Sequence, residues 1–198
     1  MRCTSKIPNL HGWLLRPARS CLRACRLIGL AVAFTPGIAA SELPEPAPLE
    51  YQVKAAFVMN FARFVEWPPD AFADAATPLT MCTLGDDVLG PALEQMVAGE
   101  TVNGRKLVVQ RLIHPPVPAP CRLLFIGGLE KHQGQVLAAL GRNVLTVGEG
   151  DLFLREGGMI AFAIDRRRVR FDINQSAAQS AGLKISSQLL KVARTVEK

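Results

Sequence analysis

The segment that most constrains the fold is RLLFIGG, residues 122–128. After its first residue the strand-like part is entirely apolar, without the polar alternation of a strand that has one face in water. Such a strand belongs in a sheet that helices cover on both faces, which is the usual arrangement of a parallel sheet. The segment therefore predicts an α/β protein whose sheet lies in the middle of the molecule.

Predicted strands and helices alternate along the rest of the chain. LTMCTLG, RKLVVQRL and NVLTVG are predicted strands, and DDVLGPALEQMVAG and LEKHQGQVLAALG are predicted helices. MIAFAID and RVRFDIN follow and predict an antiparallel hairpin. Asn174 is expected to cap a short helix, and SSQLLKVARTV to form the last helix. This order predicts a layered α/β sandwich with a mostly parallel sheet and an antiparallel edge hairpin.

The first helix is predicted from Tyr51 to Trp67, where Pro68-Pro69 would end it. Its central apolar stripe is expected to hold Val53, Phe57, Phe61 and Phe64. The whole apolar arc covers about 200°, whereas packing on one side requires a stripe of about 100°. We therefore predict that the surplus, with Tyr51, Ala55 and Val58 at its margin, forms a surface for a second copy or another protein.

Lys54 falls inside this apolar arc, and Glu50 lies one turn before it. The simpler interpretation is a lysine whose stem packs on apolar neighbours while its ammonium reaches water or Glu50. The alternative is a charge retained for a partner or a ligand, so Lys54 is included in the predicted surface.

Residues 1–40 have the layout of a signal peptide for export to the periplasm. Six basic residues precede the short apolar run Leu27–Phe34, and small residues follow at Ala39 and Ala40. An N-terminal membrane anchor is the alternative, but the run is shorter than the about 20 residues that span a bilayer. Residues 41–48 then form a proline-rich linker, and residues 49–198 are expected to form a single domain.

The predicted leader carries the basic charge of the chain. The sequence has 23 Lys and Arg against 17 Asp and Glu, and six of the bases but none of the acids lie in the leader. The remainder has equal numbers of basic and acidic residues, which argues against nucleic acid as a partner.

Two of the five cysteines, Cys82 and Cys121, lie beyond the predicted leader. In an exported domain such a pair favours a disulfide, because the compartment is oxidising. The alternative is two separate buried thiols. No histidine or carboxylate stands at metal-ligand spacing beside either cysteine.

The remaining polar features predict no catalytic, metal or cofactor site. His114 and His132 have no nucleophile motif beside them, and the glycines of FIGG predict a tight turn rather than a phosphate loop. Arg166 and Arg167 lie between the two hairpin strands, and Arg168 and Arg170 lie on the face of the second strand that is expected to be in water. Contact with an acidic partner or lipid head groups is the alternative.

Eight segments in order resemble the YfiR family of exported bacterial proteins. They are YQVKAAFVMNFARFVEWP, CTLGDDVLG, TVNGRKLVV, CRLLFIGG, VLTVGEGDLF, GGMIAF, RVRFDIN and AGLKISSQLLKVA. The resemblance implies a dimeric, non-enzymatic periplasmic regulator. It implies binding and inhibition of a membrane-anchored diguanylate cyclase, which lowers cyclic di-GMP and biofilm formation.

The resemblance also implies two forms of control. An outer-membrane lipoprotein or envelope redox stress would relieve the inhibition, and Cys82 and Cys121 match a bridged pair of the family. The best-known type has a second cysteine pair, but LREGGMIAFAI contains no cysteine here, so a redox response through that second bridge is not expected. The competing hypothesis is a small-molecule sensor or solute-binding accessory of a membrane receptor. A closed polar pocket would favour this hypothesis, and an exposed apolar patch would favour the regulator.

Overall fold

The structure is a computed structural model that describes residues 48–85 and 88–198. The predicted signal peptide, most of the predicted linker, and the residues Asp86 and Asp87 lie outside the described residues.

The helices alternate with strands, as the sequence predicts. The helices are α1 (Leu49–Phe64), α2 (Leu89–Val97), α3 (Gln133–Ala139), α4 (Gly150–Arg155), α5 (Gln175–Ser180) and α6 (Ser187–Val192). The strands are β1 (Val65–Glu66), β2 (Leu79–Leu84), β3 (Thr101–Val102), β4 (Arg105–Leu112), β5 (Cys121–Ile126), β6 (Leu145–Glu149), β7 (Ile160–Asp165), β8 (Arg168–Asn174), β9 (Lys184–Ile185) and β10 (Thr195–Glu197).

Eight of the described strands form one sheet in the order β10-β8-β7-β6-β5-β2-β4-β3. Neighbours from β4 to β7 are parallel, while β8 runs antiparallel to β7 and β3 antiparallel to β4. Strands β1 and β9 form a separate antiparallel pair. The predicted α/β sandwich with a mostly parallel sheet is confirmed.

Helices cover both faces of the sheet. Alternate residues of β2 and β5, such as Met81 and Leu123, pack with α1 and α2 in one core. Their neighbours Cys82 and Leu124 pack with α3 and α4 in a second core on the opposite face. This double burial explains why these strands are apolar at nearly every position.

The prediction that α1 reaches Trp67 is wrong, because the helix ends at Phe64. Val65 has extended backbone angles, and it pairs with Ile185 across the small sheet. The backbone N–H of Ser186 donates to the carbonyl of Phe64 at 2.9 Å. Strand pairing with a distant segment thus overrides the helical pattern of the local sequence.

The end of the chain also differs from the prediction. Helix α6 stops at Val192, and Thr195–Glu197 adds a parallel strand beside β8, so the β7–β8 hairpin does not form the sheet edge. The face of β8 predicted to be wet is only partly so, because Asp172 is buried and accepts hydrogen bonds from the guanidinium of Arg194. The backbone N–H of Arg194 also donates to the carbonyl of Phe171 at 2.8 Å.

Candidate functional site

The carboxyl ends of the parallel strands meet at one edge of the sheet, which we call the carboxyl edge. Strands β2, β5 and β6 end there at Leu84, Ile126 and Glu149. The tip of the β7–β8 hairpin projects beyond the same edge, because β7 continues past its last pairing with β6. In α/β proteins this edge is where binding sites usually form.

Lys54 links the first turns of α1 to the carboxyl edge. Its Nζ lies 2.7 Å from a carboxylate oxygen of Glu149 and 2.5 Å from one of Glu50. The ammonium also lies 4.6 Å from the ring centroid of Tyr51, which provides a cation–π contact. Only 4% of Lys54 is exposed, so the structure holds this charge in the protein interior.

Two opposing effects act on the pKa of Lys54. Burial disfavours the ammonium, whereas the hydrogen bonds to Glu149 and Glu50 and the charges of both carboxylates favour it. The carboxylates prevail and raise the pKa of Lys54 above its usual value. The lysine is therefore cationic at neutral pH.

The structure corrects the predicted surface on α1. Ala55 and Val58 are fully buried, and Lys54 is enclosed, so none of the three is available to a partner. Tyr51 is half-buried against the same core. The wide apolar arc exists because α1 packs on the sheet and on α2 and α6 as well.

The predicted stripe of α1 is correct in part, because Phe61 is buried and Phe57 and Phe64 pack partly buried against the core, but the buried face also includes other residues. The buried residues of the helix are Lys54, Ala55, Val58, Phe61 and Ala62, and Val53 is exposed. The simpler interpretation of Lys54 is correct in two respects: its stem is buried, and its ammonium contacts Glu50. The contact with Glu149 was not predicted, since the two residues are 95 positions apart in sequence.

The turn after β5 is tight, as the sequence predicts. The N–H of Glu130 donates to the carbonyl of Gly127 at 3.0 Å. A Cβ on Gly128 would lie 2.7 Å from a carboxylate oxygen of Glu149. This carboxylate would repel a phosphate, so the turn is not suited to bind one.

An apolar patch, Ile113 and Leu129, lies beside this turn. The two side chains are 77% and 72% exposed and line a hollow of about 440 Å³ together with Gly85 and Glu130. Sequence reasoning missed this patch, because single aliphatic residues in loops carry no periodic pattern. The available signal was their position directly after β4 and β5.

The hairpin tip carries four exposed arginines, Arg166, Arg167, Arg168 and Arg170, which we call the arginine tip. None of these side chains makes an ion pair or hydrogen bond within the described part of the chain. Arg166 and Arg167 form the two-residue turn and have φ of 47° and 64°. Left-handed backbone costs a residue with a side chain about 1–2 kcal/mol.

A cleft of about 860 Å³ lies on the opposite side of the sheet from α1. The proline-rich loop before β5 forms one wall and α3 the other, with Val117, Val136 and Val144 among the lining residues. His114 and His132 both lie at this cleft, and both are exposed. The volume is in the range of small-molecule sites.

Cys82 and Cys121 form a disulfide between the neighbouring strands β2 and β5. Both residues are fully buried in the second core. The pairing agrees with the prediction from the exported context and the family resemblance.

Within residues 48–85 and 88–198, no group of three His, Cys, Asp or Glu side chains is placed to hold a metal ion. None of the helices in these residues has the length and hydrophobicity that crossing a membrane requires.

A comparison with protein families gives one match, to the sequence model described as YfiR/HmsC-like, over residues 51–194. The chain belongs to the YfiR/HmsC-like family. This family is periplasmic, and its members regulate diguanylate cyclase signalling rather than catalyse a reaction.

Comparisons with individual proteins add little to the family assignment. No curated protein matches this YfiR/HmsC-like chain. A conserved domain protein from Vibrio cholerae matches with a TM-score of 0.47 at 10% identity. The ABC domain in complex with L-Trp from Streptococcus pneumoniae matches with a TM-score of 0.45 at 11% identity. Each match covers 74% of this chain and 60% of the solved one.

Proposed function

We propose that this protein binds the periplasmic part of a membrane-anchored diguanylate cyclase and holds the enzyme inactive. The observation that carries the proposal is the YfiR/HmsC-like match, which spans residues 51–194 and so includes nearly all of the described structure. The result of binding would be less cyclic di-GMP and less biofilm.

The apolar patch at the carboxyl edge supports a protein partner. Two aliphatic side chains that are about three-quarters exposed, Ile113 and Leu129, lie in one hollow. Exposed apolar surface of this kind is typical of protein interaction sites. Because the predicted residues Ala55 and Val58 are buried, we assign the cyclase contact to this patch instead.

Inhibition requires only that the protein bind the inactive form of the cyclase better than the active form. A difference of about 3 kcal/mol in binding free energy shifts the equilibrium between the two forms more than a hundredfold. Burial of an aliphatic side chain contributes about 1.5–3 kcal/mol, so a small patch gives a difference of this size when only the inactive form of the cyclase covers it.

Gene deletion and complementation test the proposal. Deletion should raise cyclic di-GMP and biofilm, and the rise should vanish when the partner cyclase is deleted too. The wild-type gene should restore low cyclic di-GMP, whereas a double variant with Ile113→Asp and Leu129→Asp should not.

The matched control is Val192→Asp, which changes a 58% exposed valine outside the patch and should complement fully. Immunoblots of periplasmic extract should show that all three proteins accumulate. Unchanged cyclic di-GMP after deletion, in every growth and redox condition tried, would reject the regulator. Full complementation by the double variant would reject only the patch.

The proposal includes export, assembly and release. Processing should occur after Ala40, within one residue. This would be contradicted if N-terminal sequencing showed that the periplasmic protein still begins before Leu30. We propose a homodimer, to be measured by sedimentation, and an outer-membrane lipoprotein that competes with the cyclase for this protein.

The second candidate function is a small-molecule sensor, and the cleft of about 860 Å³ is the observation that favours it. A sensor should gain thermal stability in the presence of its ligand, because binding to the folded state alone raises the unfolding temperature. Such a shift with a periplasmic metabolite extract, lost in Val136→Trp, would support this function. The regulator requires no such shift.

A further inference from the structure

The arginine tip has an unusual backbone for its sequence. A two-residue hairpin turn with positive φ at both positions strongly prefers Asn-Gly or Asp-Gly. This chain has Arg166 and Arg167 at those positions, with φ of 47° and 64°. Residues that hold sparsely populated backbone angles are concentrated at functional sites, so we expect the two arginines to serve in binding rather than in stabilising the fold.

The positive charge of the tip is not neutralised by ion pairs within the part of the chain that the structure describes. Among the described residues, the four arginine side chains have no ion pair or hydrogen bond. Asp165 stands opposite Arg168 in the hairpin and is the acidic residue in the tip itself. The tip therefore has an excess of positive charge at a point that projects from the carboxyl edge.

The tip is also amphipathic. Arg168 and Arg170 alternate with Val169 along β8, and Ile164 is paired with Val169 on the opposite face of the hairpin. Ile164 is 55% exposed, since α1 does not cover this end of β7. The tip thus combines guanidinium groups with an exposed aliphatic side chain.

We propose that the arginine tip docks on the anionic phospholipid surface of a membrane, with its guanidinium groups on lipid phosphates. A guanidinium presents paired donors that match two oxygens of a phosphate. A projecting two-residue turn fits a soft, flat headgroup layer, where Ile164 can enter the apolar boundary below the phosphates. An acidic protein surface is the competing partner, and the experiment separates the two.

The experiment measures binding to vesicles by co-sedimentation. Vesicles of phosphatidylcholine alone are compared with vesicles that also contain phosphatidylglycerol. The protein should bind the anionic vesicles, and the bound fraction should fall as salt is added. Each basic residue close to an anionic surface strengthens binding about fivefold.

The decisive variant carries Arg166→Asn and Arg167→Gly. This pair is the preferred sequence for the turn, so the variant should unfold at the same temperature as the wild type or a higher one. Its affinity for anionic vesicles should nevertheless be about thirtyfold weaker. The control carries Arg155→Asn and Lys191→Asn, which removes the same charge from two exposed positions outside the tip, and should bind within about twofold of wild type.

Three results would overturn the proposal: the tip variant binds anionic vesicles as tightly as the wild type, the wild type binds neutral vesicles as tightly as anionic ones, or the wild type binds neither kind of vesicle. If the wild type binds neither kind of vesicle and the tip variant fails to bind the periplasmic part of the cyclase, the arginines are assigned to an acidic protein surface. The vesicle measurement contains no cyclase, so its failure leaves the proposed repression untouched.

Discussion

Breaking the disulfide between Cys82 and Cys121 should lower the free energy of unfolding by about 4 kcal/mol. The two cysteines are 39 residues apart in sequence. A cross-link of this span removes about 13 cal/mol/K of entropy from the unfolded chain, or about 3.9 kcal/mol at 25 °C. The native state should change little, because β2 and β5 also pair through backbone hydrogen bonds.

The assay is urea unfolding of the oxidised and the reduced protein, followed by the fluorescence of Trp67. The indole N–H of this residue donates to the carbonyl of Asn143 at 3.1 Å, so its environment changes on unfolding. Reduction should also increase the dependence of the free energy on urea, since the unfolded chain expands and exposes more surface. In a heating experiment the midpoint should fall by about 8–16 °C.

The control is a double variant with Cys82→Ala and Cys121→Ala. It should be insensitive to the reducing agent and less stable than the reduced wild type, because two buried sulfur atoms are lost. A difference of less than about 1 kcal/mol between the oxidised and reduced protein would refute the reasoning from loop closure.

Two further predictions concern the interior. Lys54→Met should lower the free energy of unfolding, measured with urea, by about 1–3 kcal/mol, because it leaves the carboxylate of Glu149 without its cation. Adding Glu149→Gln to the same chain should recover part of this loss. Since the folded-state pKa of Lys54 is raised, this stabilisation is fully present below about pH 10 and is lost as the pH rises through that pKa. Gly148→Ala should lower the free energy of unfolding by about 1–3 kcal/mol, because the added Cβ would overlap the buried ring of Phe153. Gly141→Ala places its Cβ in open space and should change the free energy of unfolding little. Equal effects of the two alanines would contradict the packing argument.

The buried strands could be predicted from the sequence because their environment leaves a local signature. A strand such as β5 is covered on both faces and so has apolar residues at nearly every position. The helix cap at Asn174 could also be predicted, because its contact is local: its side chain accepts a hydrogen bond from the backbone N–H of Ala177, three residues ahead. Contacts within a few residues can be inferred from types and spacing.

Contacts between distant segments could not be predicted in this way. The end of α1 depends on the pairing of Val65 with Ile185, and the burial of Lys54 depends on Glu149. The width of an apolar arc shows how much of a helix is covered, but not by what. For this reason the same pattern that suggested a partner surface at Ala55 and Val58 proved to reflect packing inside the domain.

The short strand β10 has a consequence for how two molecules can meet. It pairs with Asp172, Ile173 and Asn174, so among the residues that the structure describes no strand pairs with the first half of β8 on that side. This open backbone could template a further strand from another chain, but Arg168 and Arg170 lie along it. Charged side chains on an edge strand discourage such growth, and two copies placed edge to edge would bring arginine against arginine. The fold is thereby protected against aggregation through its sheet, and a stable pair of molecules is better accommodated through its helical faces.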